Sequence, residues 1–199
     1  MNAGSLPSTA KKFDREEYLR EHLPYRMQAV AKLDWALSFA STFKLETPAD
    51  VAVGGKRVVI ARVRNLTNPM IEVGLVYVRV LMEFLGLQAD KTKIYLKDHE
   101  RGRKDSVYIE DFFVSGSALP RVTRDDVVAR HPKAEISLVC AIAHADKAIC
   151  HLTLGPQQDE ATLDQITLAS RIVPLLIEEF FYGKLGLPVP PYKPAKIRP

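Results

Sequence analysis

Five residues in the second half of the chain, Ser137, Cys140, His144, Lys147 and His151, advance by three, four, three and four positions, the spacing of one stripe on a helix. Two imidazoles two turns apart with an ammonium between them supply a general acid, a general base and an anion contact. The competing reading is equally physical: an amphipathic helix needs a polar face, and this stripe lies beside the apolar seam Leu138, Ile142, Ala145, Ile149 and Leu152. A metal site is not expected. No Glu-x-x-His pair of the di-iron bundle type occurs, and His144 and His151 are separated by about 10 Å of helix axis, too far to share one zinc easily. Gly54-Gly55 lacks the Lys-Ser/Thr of a phosphate loop, and Ser115 and Ser117 lack the flanking glycines of a nucleophile elbow, so no cofactor is expected.

A second candidate lies on the segment 68–86, NPMIEVGLVYVRVLMEFLG, which is apolar almost all the way round. Its only charges, Glu72, Arg79 and Glu83, fall within about 40° of one another on a helix, and Asn65 and Asn68 extend the line. This narrow seam is either the solvent face of a core helix or a charged row set against the histidines. The net charge of +4 is concentrated in 91–104, KTKIYLKDHERGRK, where six Lys or Arg outnumber Asp98 and Glu100. Lys97, Arg101, Arg103 and Lys104 are therefore the candidate nucleic-acid contacts. Only Tyr95 interleaves with them as a stacking ring, and the alternative is a solvated basic connector.

These groups need a scaffold. At 199 residues, 47% hydrophobic and 26% charged, the chain suits one core and one domain. No apolar run reaches the roughly 18 residues of a membrane span, and the first residues lack the apolar core of a secretion signal, so a cytoplasmic location and no membrane partner are expected. Cys140 and Cys150, ten residues apart on one helix, are separated by about 15 Å and are read as thiols in a reducing compartment.

The periodicity predicts an all-α fold, a bundle of four main helices at 24–44, 56–86, 133–153 and 159–183 joined by irregular connectors. Asp14 caps a short helix to His22, and Pro48 starts a helix that Gly54-Gly55 interrupts. KRVVIARVR favours a strand by its β-branched residues, but no partner strand stands out and a helix is preferred. Gly86 closes the central helix, Pro174 kinks the last one or marks an internal break, and Thr123 caps RDDVVARH. Residues 1–13 read as a flexible lead, 14–186 as the helical domain and 187–199 as a Pro-rich basic tail.

Three blocks, NPMIEVGLVYVRVLMEFLG, RKDSVYIEDFF and HADKAICHLT, together resemble segments of uncharacterised bacterial helical proteins that look like members of the HEPN superfamily. The resemblance implies a helical bundle that often dimerises, and an RNA-binding or RNA-processing role without metal. Active relatives cut RNA with Arg-x4-6-His. Here Asp146 stands five residues before His151 and Lys147 four before it, so the motif is absent at that histidine; Arg15 with His22 and Arg124 with His131 match Arg-x6-His, about as often as chance allows. On this reading Arg79 and Lys147 hold phosphate, His144 or His151 moves protons, and Glu72 orients Arg79. The alternative is a non-enzymatic structural or interaction protein, a homodimer joined through an apolar helix face.

Overall fold

The computed structural model describes residues 13–90, 92–102, 106–146 and 160–192. Helix α1 (Arg15–Glu17) starts at Asp14, whose carboxylate accepts the N–H groups of Glu16 at 2.9 Å and Glu17 at 3.2 Å. A π-type turn, Tyr18–His22, leads straight into α2 (Leu23–Thr42). Pro24 therefore does not separate two helices: the wider turn shifts the hydrogen-bond ladder just before it, with the Leu23 N–H on the Tyr18 carbonyl. Leu23, Met27, Val30, Leu33 and Leu37 of α2 face inward at helical spacing.

Strands β1 (Pro48–Val53) and β2 (Lys56–Arg62) then pair antiparallel, Pro48 opposite Arg62 and Val53 opposite Lys56. The expectations of a helix from Pro48 and of a second main helix from 56 are both overturned here. Gly54 and Gly55 have φ of +58° and +78°, the two left-handed central positions of a tight hairpin turn, so the glycines reverse the chain instead of interrupting a helix. The partner strand for KRVVIAR is PADVAV.

Helix α3 (Val63–Leu85) follows directly and passes through Pro69 without ending. Pro69 and Asn65 are both exposed, so water can reach the Asn65 carbonyl that the proline leaves without a donor. Gly86, at φ +95°, terminates α3, its N–H on the Glu83 carbonyl at 3.0 Å. Strands β3 (Leu87–Ala89) and β4 (Leu96–Asp98) form a second hairpin. A third, β5 (Phe113–Val114) with β6 (Ser117–Ala118), turns through Ser115 at φ +50° and Gly116 at φ +84°.

Helix α4 (Arg124–Arg130) is capped reciprocally by Thr123 and Asp126. Helices α5 (Ala134–His144) and α6 (Glu160–Ile177) pack on α2 and α3, and α6 continues through a π-type turn, Glu178–Tyr182, into α7 (Gly183–Leu185). The helical core of α2, α3, α5 and α6 is thus present, but three small antiparallel sheets correct the all-α expectation. A strand in such a hairpin carries a short, weak sequence signal, because the ladder to its partner stabilises it more than its own propensity does.

Helices α2 and α3 approach closely at Gly74. A methyl group on Gly74 would sit 2.6 Å from the Leu33 Cβ, an atom fixed to the backbone. Gly74→Ala should therefore lower the melting temperature, the roughly 1–3 kcal/mol of overpacking exceeding the helix-propensity gain of up to about 1 kcal/mol. A thermal melt at or above the wild-type value would contradict this close crossing.

Candidate ligand pocket

Arg79 lies on the outward side of α3, about 140° round the helix from Gly74. Its Nε donates to Glu83 at 2.8 Å, one helical turn on, and its other arm reaches Asp146 at 3.1 Å, just beyond α5. Glu83, not Glu72, orients the guanidinium. Glu72 is exposed two turns earlier and forms no ion pair among the described residues. Lys93 also pairs with Asp146, on its second carboxylate oxygen.

Arg79 and Glu83 form a ridge between two hollows. The larger, about 330 Å³, has apolar walls from Val76, Val80 and Ala145 and polar groups from His99, Ser106 and Tyr108. The smaller, about 50 Å³, lies beside Gln88, Lys93 and Asp146. A volume near 300 Å³ is the lower end of small-molecule sites.

The connector brings three of these side chains to the bundle. His99 stacks on Tyr108 with the planes 26° apart, and its Nδ1 is buried with no hydrogen-bond partner among the described residues. The Tyr108 oxygen accepts the Gly102 N–H at 3.2 Å, which leaves its own O–H to donate elsewhere. Arg121 tethers the segment from below, donating to the His99 carbonyl at 3.2 Å and to Glu110 at 2.7 Å.

The remaining candidates lie elsewhere. His144 is half-buried and does not line either hollow; its Nδ1 is 2.9 Å from the Cys140 carbonyl, the geometry of an N–H donating to its own helix. In that tautomer Nε2 carries the lone pair, and it is buried with no partner among the described residues. Lys147 and His151 lie outside the described residues, as do Arg103, Lys104 and Cys150. Lys97 sits on β4 opposite Gln88. Arg101 is committed to both oxygens of Asp111, at 2.9 and 3.2 Å, and lies over the Tyr108 ring at 5.0 Å.

Sequence reasoning missed Lys93, His99, Ser106, Tyr108 and Asp146 as a group. Only the Arg79/Glu83 spacing of four advertised a contact, as an i,i+4 pair. Lys93 owes its position to Asp90, a residue with no catalytic signature. The Asp90 carboxylate, buried at 4% exposure, accepts the N–H groups of Thr92 and Ile94, both at 2.7 Å, that of Tyr95 at 3.2 Å, and the Thr92 hydroxyl. The loop they wrap holds Lys93 at φ +59°, in the left-handed region.

Comparison of the chain with protein-family profiles, with characterised proteins and with solved structures finds no match in any of the three.

Burial pushes the Asp90 pKa up, but the Thr92 hydroxyl and the backbone donors outweigh it and hold the carboxyl far below its ordinary range. With the folded value depressed, its stabilisation is complete above the unfolded pKa of about 3.9 and is lost as pH falls below it. Asp90→Asn should thus melt below wild type at neutral pH, and the gap should narrow as pH drops from about 4 toward 2. An equal gap at neutral and acid pH would exclude the charged loop anchor.

Proposed function

We propose that the protein binds RNA through its phosphates, with the pocket at Arg79 as the specific contact and without a cleavage reaction of its own. The observation that carries this reading is the convergence of Arg79, His99, Ser106 and Tyr108 on one hollow of about 330 Å³. Arg79 supplies a planar cation suited to phosphate oxygens, while Ser106 and Tyr108 supply hydroxyls that bond neutral groups or sugar oxygens. The basic connector adds attraction at longer range. The HEPN resemblance points to the same ligand. Proton transfer is not assigned to His144, because its Nδ1 is bonded to the helix backbone and its ring does not line the hollow.

Binding of a fluorescent single-stranded oligoribonucleotide, followed by anisotropy, tests this. Affinity should fall steeply with salt, and Arg79→Ala should weaken it about tenfold while reducing the slope of log affinity against log salt by about 0.7, the share of one phosphate contact on a single strand. Affinity that is insensitive both to salt and to Arg79→Ala would overturn the reading.

A second reading, assembly through an apolar helix face, is favoured by a groove of about 220 Å³ between α2 and α3. Tyr25, Met70 and Val73 are 57%, 37% and 44% exposed along it, a contiguous apolar surface of the kind that marks interfaces. A second copy of the chain is the occupant here, because Lys32 in the groove and Glu72 beside Val73 carry opposite charges and take no ion pair among the described residues. Val73→Glu should then convert a dimer to a monomer in sedimentation equilibrium. A wild-type protein that is monomeric at tens of micromolar would remove this reading.

A further inference from the structure

Asp146 is gripped by two cations from distant parts of the chain. Arg79 comes from the C-terminal third of α3 and meets Oδ1 at 3.1 Å, while Lys93 comes from the β3–β4 loop and meets Oδ2. Lys93 is the more telling partner. A lysine in the left-handed region is uncommon and unfavourable, yet four hydrogen bonds to Asp90 hold the loop so that Lys93 adopts it. The fold thus spends stability on aiming an ammonium at the point where Arg79 also arrives.

Two cations held on separate elements and converging on the two oxygens of one carboxylate have the arrangement of an anion site. We propose that Arg79 and Lys93 form a subsite for a phosphate group and that Asp146 is its internal plug, displaced when phosphate binds. This rests on the RNA-binding reading and locates the phosphate within it.

The charge count favours exchange. Among the described residues, Arg79 and Lys93 are balanced by Glu83 and Asp146 with Asp146 in place; with its carboxylate turned out, these groups carry one net positive charge, and a phosphate monoester brings up to two negative charges to them. Glu83 stays on the Nε edge of Arg79 and keeps the guanidinium oriented. The Asp146 side chain is 26% exposed, so it can rotate into water without leaving a buried unpaired charge. The hollow of about 50 Å³ already adjoining Lys93 and Asp146 gives the incoming oxygens room. The larger hollow on the other side of the Arg79/Glu83 ridge then takes the body of the ligand.

The phosphate could be free, or the terminal group of a nucleotide or of an RNA end. Titration calorimetry of the full chain with inorganic phosphate, a 5′-ribonucleoside monophosphate and the unphosphorylated nucleoside separates these sources. Asp146→Asn keeps the shape and removes the competing charge. It should tighten monophosphate binding about tenfold and leave the nucleoside unchanged, whereas adding Arg79→Ala or Lys93→Ala to it should abolish the gain. Inorganic phosphate bound as tightly as the nucleotide would assign the subsite to the free ion, and much tighter nucleotide binding would assign it to a nucleotide terminus.

Unaltered or weaker monophosphate binding by Asp146→Asn, with the variant folded by circular dichroism and RNA affinity at the wild-type level, would overturn the plug while leaving the RNA reading standing. A tenfold gain that survives Lys93→Ala would remove Lys93 from the subsite. Absence of RNA binding by wild type and by Asp146→Asn alike would take the functional reading with it, and a monophosphate gain in that case would retain the subsite alone.

Discussion

The contact of Phe112 with Phe84 and Phe181 holds the molecule's irregular half to its helical half. Phe112 and Phe181 meet edge to face at 4.7 Å, and Phe84 and Phe181 do so at 5.1 Å. Each ring is essentially buried, and each comes from a different part of the chain: the connector, α3 and the turn after α6. Aromatic contacts of this geometry add to ordinary apolar burial. Phe112 in the core helps to fix Tyr108 and His99 relative to Arg79, because the segment between β4 and α4 has little regular structure with which to hold itself.

Hydrogen bonding completes what the rings begin. The Val122 N–H bonds the Leu85 carbonyl at the end of α3, and the His99 N–H bonds the carbonyl of Gly86. Both attach the connector at the point where α3 stops and its last carbonyls lack helical partners. The helix terminus and the connector therefore satisfy each other, and the hollow beside Arg79 is a consequence of that mutual satisfaction. Farther out, Arg101, Arg121 and Arg124 are engaged with Asp111, Glu110 and Glu135. Within the basic segment 91–104, Lys93 and Arg101 are thus committed to Asp146 and Asp111, while Arg121 and Arg124, beyond it, hold the connector and α4 in place.

The tight α2–α3 crossing explains why so apolar a helix as α3 presents an ionic edge at all. Gly74 lets α2 come close on one side, and Leu75, Val78, Leu81 and Met82 face the core. The ionic seam of Glu72, Arg79 and Glu83 is left on the far side, where water and the connector meet. Along that seam only Arg79 and Glu83 come under the connector; Glu72 stays in solvent.

Local chemistry was legible without a structure wherever one or two side chains act on their own backbone. Asp14 and Thr123 as caps, Gly86 as a helix stop and the charged seam of α3 follow from a few adjacent residues. Periodic burial marks α2, α6 and the body of α3, but the helix expected from 56 begins only at Val63. The hairpins were not legible in the same way: Lys56–Arg62 favours a strand by its β-branched residues, but Pro48–Val53 does not announce itself as the partner, and the sign was Gly54-Gly55, whose meaning depends on both flanks pairing. The pocket was least legible of all. Arg79, Lys93, His99, Tyr108 and Asp146 are up to 67 positions apart, and nothing local links them. What joins them is burial of Phe112, the wrapping of a loop around Asp90 and the docking of α5 on α3, and those are long-range packing events that no spacing rule encodes.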